Sequence, residues 1–308
     1  MKIKKLTLFI SFIVLLVSCS KDESGTPATD LPTDINLEKG AGVFTYNYKS
    51  TEVNTSLNVY YYIPQNITTT TPLLFVFHGA QRNADEYRDA MISKANEFGF
   101  IVITPEFTKE SFPGGDGYNL GNVFVDGDNP TVESLNHENE WAFSIIEPLF
   151  DHTKKLLKNE NPTYSVFGHS GGGQFSHRFI MFKPNARINK MVTSASGWYT
   201  FPNVAVKFPY GFDESPLTDI SLVNLFSKQI YVQVGDNDDD PNASSLRHNE
   251  FADAQGLHRK ERAVNFFEYS KTLSEENQIP FNWNFDIVEN ADHDFVKASE
   301  NAADLLFK

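Results

Sequence analysis

The sequence predicts an α/β domain with a mainly parallel central sheet and helices on both faces. Short, continuous apolar runs such as residues 73–77 are typical of strands buried on both faces, and such strands belong to parallel sheets. These runs alternate along the chain with segments of helical periodicity. Alternation of strands and helices favours parallel pairing through right-handed crossovers, which fixes the fold class.

The first predicted elements form an antiparallel edge to this sheet. Apolar residues occupy alternate positions over residues 44–48 and again over residues 57–61. Period-two alternation is typical of strands with one covered face, so the two segments predict a β-hairpin.

The remaining elements follow in chain order. Asn83 is a candidate N-cap for a helix over residues 83–98, and Pro148 is expected to kink or restart a helix over residues 137–157. Gly, Asn and Asp dominate residues 114–130, which predicts a long loop. The other predicted strands are residues 73–77, 101–103, 164–167, 191–195, 230–234 and 282–288, and the other predicted helices are residues 175–182 and 260–276.

Composition narrows the class of function. The chain has 308 residues, of which 40% are hydrophobic, so it can bury a sizeable core and is not expected to be disordered. Its formal net charge is −14, and no basic stripe is present. Both facts argue against nucleic acid as a partner, because the phosphate backbone is bound by clustered Lys and Arg.

The N-terminus predicts export. Three lysines within the first five residues precede an apolar run over residues 6–17, which is too short to span a bilayer. The string Leu-Val-Ser-Cys that ends at Cys19 resembles a bacterial lipobox, in which the cysteine is lipidated and becomes the first mature residue. The alternative is an ordinary signal peptide with a chance cysteine. Cys19 is the only cysteine in the chain and stands where a lipobox requires one, which favours the lipidated form.

The predicted organisation is therefore a signal peptide over residues 1–18, a flexible tether over residues 19–40 and one domain over residues 41–308. The tether begins with Ser-Lys-Asp-Glu after Cys19, which resembles the acidic export tag of Bacteroidetes surface lipoproteins; a plain solvated linker is the alternative. The expected location is the cell envelope, at the outer membrane or cell surface. Contact with the membrane is expected through the lipid anchor alone.

The strongest motif is Gly-His-Ser-Gly-Gly over residues 168–172. It matches the pattern G-x-S-x-G and lies between a predicted strand and a predicted helix, where a nucleophile elbow belongs. Glycines two positions either side of Ser170 let the strand and the helix approach closely, and the sharp turn exposes the serine hydroxyl. Ser170 is therefore the candidate nucleophile.

An acid and a base follow in the order that this motif requires. The strand over residues 230–234 ends in Gly235, and Asp238 lies three residues later; Asp236 is the alternative acid. A calcium loop is a second interpretation of this Asp-rich run, although it lacks the glycine and glutamate spacing of an EF-hand. Of the eight histidines, His293 alone lies in a loop after the last predicted strand, where a triad base belongs.

With these residues placed, the chain resembles an α/β-hydrolase of the group that contains polyhydroxybutyrate depolymerases and feruloyl or acetyl-xylan esterases. The resemblance covers roughly residues 56–305, and it implies an oxyanion hole formed by the backbone N–H groups of Ala80 and Gly171. Depolymerases of this group often have cysteine where Ala80 stands. Besides the triad, the resemblance rests on residues 78–85, 117–121, 197–199 and 255–259.

The resemblance implies a serine carboxylic-ester hydrolase that needs no metal or organic cofactor. The expected substrates are polysaccharide side-chain esters or oligoesters, as small molecules or polymers. Tyr118, Trp198 and Tyr199 are candidate pocket residues that could stack on a sugar or an aromatic acid, with core packing as the alternative. A serine peptidase of the same fold and a non-catalytic binding lipoprotein are the competing hypotheses.

Overall fold

The computed structural model describes residues 37–308; the predicted signal peptide, Cys19 and most of the tether lie outside the described residues. An eight-stranded sheet forms the centre of the domain, in the order β1-β2-β4-β3-β5-β6-β7-β8. The pairs β1–β2 and β2–β4 are antiparallel, and every other neighbouring pair is parallel. The predicted fold class is therefore confirmed. The strands are β1 (Gly40–Lys49), β2 (Asn54–Ile63), β3 (Leu73–Phe77), β4 (Ile101–Pro105), β5 (Tyr164–His169), β6 (Ile188–Ser194), β7 (Gln229–Gly235) and β8 (Trp283–Val288).

Helices cover both faces of the sheet. Side chains of β3 show the division, since Phe75 and Phe77 pack into one apolar cluster and Leu74 and Val76 into another. The first cluster includes residues of α3, α4, α5 and α7, and the second includes residues of α1, α2 and α8. The helices are α1 (Ala84–Ala90), α2 (Ile92–Phe98), α3 (Ile146–Leu157), α4 (Gly171–Phe182), α5 (Leu222–Ser227), α6 (Glu250–Asp253), α7 (Arg259–Glu276) and α8 (Phe295–Phe307).

Two helices have different bounds in the structure from those that the sequence predicts. The helix expected over residues 83–98 is divided at Met91, whose N–H donates to the carbonyl of Arg88, three residues back. The helix expected over residues 137–157 begins as 3-10 turns, and its α-helical part starts only at Ile146. Pro148 therefore lies in the first turn of α3, where a missing N–H is tolerated.

Three helices of the structure were not predicted, namely α5, α6 and α8. The last of these packs on the sheet face opposite α4 and buries mainly alanines, including Ala298, Ala302 and Ala303. Within residues 37–308, no helix combines the length and apolar character needed to cross a bilayer.

Candidate active site

The turn at Ser170 joins the end of β5 to the start of α4. Ser170 has φ 57° and ψ −116°, a backbone conformation that L-residues rarely adopt. Its N–H donates to the Ser194 carbonyl at 2.9 Å, which ties the turn to β6. The sharp turn that this strained conformation creates presents the Ser170 side chain at the edge of the sheet where the parallel strands end.

Two glycines make this turn possible. A Cβ on Gly172 would lie 1.9 Å from the Phe77 carbonyl oxygen, and one on Gly168 would lie 2.2 Å from the Gly172 carbonyl oxygen. Both contacts are to backbone, so no side-chain rotation could relieve them. The close approach of β3, β5 and α4 therefore requires glycine, which has no side chain, at both positions.

Replacing Gly172 by alanine is expected to destabilise the domain by about 3 kcal/mol, because the added methyl group forces the backbone of α4 away from β3. The midpoint of thermal unfolding should fall by roughly 10 °C. Gly115→Ala is the matched control, since a Cβ there would meet nothing within 4 Å. Equal midpoints for the two variants would contradict the steric account.

Three of the predicted site residues lie within hydrogen-bond distance of one another. His293 Nε2 is 2.9 Å from Ser170 Oγ, and His293 Nδ1 is 2.7 Å from Asp238 Oδ2. Asp238 follows β7 and is only 5% exposed, whereas His293 follows β8 and is partly exposed. The chain of contacts from carboxylate to imidazole to hydroxyl has the geometry in which a histidine can accept a serine proton.

Asp236, the alternative acid, has a different set of contacts. Its Oδ1 accepts the Ala291 N–H at 3.0 Å, and the neighbouring Asn237 N–H donates to the Ala291 carbonyl at 2.9 Å. Backbone N–H groups of Asn290 and Ala291 lower the pKa of Asp236. Asp236 thus fastens the loop after β7 to the loop after β8 and makes no contact with His293.

The predicted oxyanion donors lie together beside Ser170. A Cβ on Gly171 would be 3.2 Å from the Ala80 nitrogen, so the backbone of the loop after β3 abuts the first residue of α4. The Ala80 N–H has no acceptor among the described residues, and the first N–H of a helix has no partner within the helix. Both N–H groups are therefore free to donate to a substrate oxygen.

The buried residue His78 holds this loop. The Phe107 N–H donates to His78 Nε2 at 3.0 Å, so the ring proton is on Nδ1, which donates to the Gly79 carbonyl at 3.0 Å. Burial lowers the pKa of His78 to about 3, which keeps the ring neutral. Its own carbonyl accepts the Tyr118 hydroxyl at 2.8 Å. This arrangement makes the donor loop rigid.

The structure places Tyr118 and Tyr199 in the core, so their assignment to the substrate pocket has to be corrected. The Tyr118 ring packs against His78 and Phe175, and Tyr199 is stacked on Phe266 with ring centroids 4.4 Å apart. Both rings are buried completely and present no surface to a ligand. They support the site from behind.

Trp198 lies at the site, but its ring is already covered. It is 4% exposed, and the guanidinium carbons of Arg178 and Arg247 lie 4.1 and 4.8 Å from its ring centre. The Tyr210 ring packs against it at 4.9 Å. The predicted stacking of a substrate ring on Trp198 therefore has little free indole surface to use.

A small polar cleft of about 200 Å³ lies beside the candidate oxyanion donors. Its position follows from Asn119, which lines the cleft and whose Oδ1 would lie 3.5 Å from a Cβ on Gly171, one of the two donor residues. Gln174, one turn after Ser170, also lines it and accepts a hydrogen bond from Asn119 Nδ2 at 3.4 Å. The lining residues are Gly115, Asp116, Asn119, Leu120, Asp128, Gln174, Gly197, Trp198, Ser245 and Arg247.

A larger groove of about 770 Å³ shares Asp128 with the cleft. Its walls are mostly apolar, and Val132 and Phe251 are 86% and 49% exposed. Arg247 joins the two spaces, since it pairs with Asp128 at 2.6 Å and contacts the Tyr210 hydroxyl at 3.1 Å. The other lining residues of the groove are Asn129, Pro130, Thr131, Lys207, Phe208, Pro209, Tyr210, Glu214 and Asn249.

Two further residues lie beside the triad, and of these only the role of Arg259 was missed in the sequence. Arg259, at the start of α7, contacts Asp238 and lies in the segment 255–259 that contributes to the family resemblance. His169 packs its neutral, buried ring 4.6 Å from that of His293 and is hydrogen-bonded to the Tyr87 hydroxyl. Burial lowers the pKa of His169 well below its usual value, so it adds no charge beside His293.

Metal ligands do not gather in the part of the chain that the structure describes: no group of three or more His, Cys, Asp or Glu side chains is placed to hold an ion. In the Asp-rich run considered for calcium, the Asp238 oxygens are taken by His293 and Arg259, and Asp240 Oδ1 accepts the Asn242 N–H.

Comparison with solved structures shows that this chain is similar to known hydrolases. Poly(aspartic acid) hydrolase-1 from Sphingomonas sp. KT-1 is 37% identical, with a TM-score of 0.81, and the match covers 88% of this chain and 100% of that one. The poly(3-hydroxybutyrate) depolymerase LpqC from Bordetella parapertussis is 28% identical, with a TM-score of 0.80, over 88% of this chain and 90% of that one. An S-formylglutathione hydrolase from Agrobacterium tumefaciens is 17% identical, with a TM-score of 0.51, over 88% and 95%, and shows the fold alone.

Sheet order, the strained serine after β5 and these similarities define the chain as an α/β-hydrolase. It belongs to the family of serine hydrolases that includes poly(aspartic acid) hydrolase-1 and the depolymerase LpqC. No family model matched the sequence, and no curated protein matched it either.

Proposed function

We propose that this protein is a serine hydrolase that cleaves carboxylic esters through an acyl-enzyme. The observation that carries the proposal is the pair of contacts at His293, 2.9 Å to Ser170 and 2.7 Å to Asp238, beside two unpaired backbone N–H groups. A binding protein on the same fold would have no need of a strained serine aligned with a histidine that is paired with a buried aspartate.

The geometry supports a two-step acyl transfer. His293 Nε2 accepts the Ser170 proton as Oγ attacks the ester carbonyl carbon, and Asp238 stabilises the imidazolium. The carbonyl oxygen becomes an oxyanion that accepts the N–H groups of Ala80 and Gly171. The imidazolium then protonates the leaving alcohol, and water attacks the acyl-enzyme with His293 again as base, which releases the acid and restores Ser170.

The spaces around Ser170 favour an extended, uncharged substrate. The cleft beside the oxyanion donors is small and polar, whereas the adjoining groove is large and mostly apolar. Cations that line the groove and its border are paired: Lys207 contacts Glu214, and Arg247 contacts Asp128. An oligoester or a side-chain ester on a polymer could place its reacting carbonyl at Ser170 and a neighbouring apolar unit in the groove.

Hydrolysis of amide bonds in an acidic polymer is the second candidate. It is favoured by the 37% identity to a protein named as a poly(aspartic acid) hydrolase. A polyanion would need unpaired cations along its path, and the pairing of Lys207 and Arg247 argues for the ester instead.

The proposal includes export. The lipobox-like string at Cys19 and the tether that follows it support a mature protein held in the cell envelope of a Bacteroidetes-like bacterium by a lipid on Cys19. An anchor of that kind would keep the hydrolase beside extracellular polymer.

The test is direct. Residues 20–308 are incubated with p-nitrophenyl esters from acetate to octanoate, a ferulate ester and poly(aspartic acid), and with a fluorophosphonate probe whose site is mapped by mass spectrometry. We expect ester hydrolysis and a single label on Ser170. Hydrolysis of poly(aspartic acid) without ester hydrolysis would support the second candidate, and the absence of both hydrolysis and label would overturn a catalytic function.

The groove gives a separate prediction. Replacing Phe251 by serine should lower the ratio of kcat/KM for an aliphatic oligoester to kcat/KM for p-nitrophenyl acetate about tenfold, because roughly 1.4 kcal/mol of apolar contact is lost. Val132→Ser should act in the same direction. Val223→Ser is the matched control, since Val223 is 53% exposed on α5 and does not line the groove. An unchanged ratio in both groove variants would contradict this route for the substrate.

A further inference from the structure

The carboxylate of Asp238 has two partners. Its Oδ2 contacts His293 at 2.7 Å, and its Oδ1 lies 3.3 Å from Nη1 of Arg259. Arg259 is 2% exposed, and its Nη2 donates to Ser245 Oγ at 2.8 Å. The next residue, Lys260, donates its backbone N–H to the Asp238 carbonyl at 3.0 Å. The first turn of α7 therefore holds both the backbone and the side chain of Asp238.

We propose that Arg259 is a positioning residue that directs Asp238 Oδ2 to His293 and thereby holds the imidazole in the orientation that contacts Ser170 Oγ. The inference rests on the proposed function of Ser170 and His293. It concerns how the pair is oriented, which neither the motif nor the fold specifies.

The positioning follows from burial. A buried carboxylate with one partner could rotate between alternative hydrogen bonds, whereas contacts at both oxygens fix the plane of the Asp238 carboxylate. Removing Arg259 would leave Asp238 charged and buried with only the imidazole to stabilise it.

Arg262 provides a matched control one turn further along α7. It is fully buried, pairs with Asp253 at 3.0 Å and donates to the carbonyls of Gly197 and Gly256. Substituting it removes a buried guanidinium from the same helix without removing a partner of Asp238. A merely structural role for arginine in α7 would therefore give similar results at both positions.

The experiment compares the wild type with R259Q, R259K and R262Q by two readouts. The first is the rate of fluorophosphonate labelling of Ser170, and the second is the NMR signal of the His293 Nδ1–H in histidine-labelled protein, assigned through His293→Asn. In R259Q we expect labelling to slow about 100-fold and the Nδ1–H signal to shift, because the carboxylate that accepts this proton is no longer held in place. In R262Q both readouts should match the wild type even where thermal stability falls.

R259K keeps the charge but loses the two-pronged geometry. Labelling of R259K should slow about tenfold. A wild-type Nδ1–H signal in R259Q, or a wild-type labelling rate in R259K, would overturn the inference, so a misfolded R259Q does not remove the test. A wild-type protein that is not labelled would disprove the proposed function, and the Nδ1–H signal would still decide the role of Arg259.

Discussion

Replacing Ser170 by alanine is expected to lower kcat/KM for ester hydrolysis by about 10⁶-fold. Among residues 37–308, the Ser170 hydroxyl is the nucleophile that His293 contacts, at 2.9 Å, and losing it removes the acyl-enzyme route. Hydrolysis that persists would come from water activated by His293 and from the oxyanion donors, which in serine proteases give a residual rate far below that of the intact triad. The measurement is kcat/KM for p-nitrophenyl acetate.

Folding should survive this substitution. Alanine at position 170 must adopt the same φ of 57° as serine does, so the strain of the turn is unchanged, and the anchoring N–H bond to Ser194 remains. Equal thermal midpoints for the wild type and S170A would show this. Ser227→Ala, a change at an exposed serine at the end of α5, should leave kcat/KM within experimental error. More than about 1% of wild-type kcat/KM in S170A would refute a role for Ser170 as nucleophile.

The central sheet could be predicted because its strands are encoded locally. β3 and β4 are buried along their whole length, and accordingly residues 73–77 and 101–103 are continuous apolar runs. The helix α8 shows why the rest could not be found in the same way. It buries small alanines against the sheet, and alanine carries a weak hydrophobic signal although it packs closely.

The same contrast holds at the candidate site. Ser170, Asp238 and His293 could be proposed because each follows a strand, and the carboxyl ends of parallel strands meet at one edge. Whether an aromatic residue near that edge faces the ligand or the core depends on packing from distant segments. Tyr199 is buried by Phe266 and by hydrogen bonds of its backbone to Gln255, contacts across more than fifty residues that no local pattern records.

The acid of the triad gives the second large effect. Asp238→Asn is expected to lower kcat by about 10⁴-fold with little change in the position of the residue. The amide that replaces the carboxylate can present an N–H to His293 Nδ1, which favours the tautomer with its proton on Nε2. That tautomer cannot accept the Ser170 proton, and the neutral side chain no longer stabilises imidazolium.

Asp236→Asn is the matched comparison, because it makes the same chemical change two residues away. Asparagine keeps an oxygen that can accept the Ala291 N–H, so the link between the loops after β7 and β8 is retained and kcat should fall no more than about threefold. The two variants separate the alternatives that the sequence left open. A large loss in Asp236→Asn together with a small loss in Asp238→Asn would reassign the acid to Asp236 and require the loop after β7 to rearrange during catalysis, since Asp238 and not Asp236 is hydrogen-bonded to His293 in the structure.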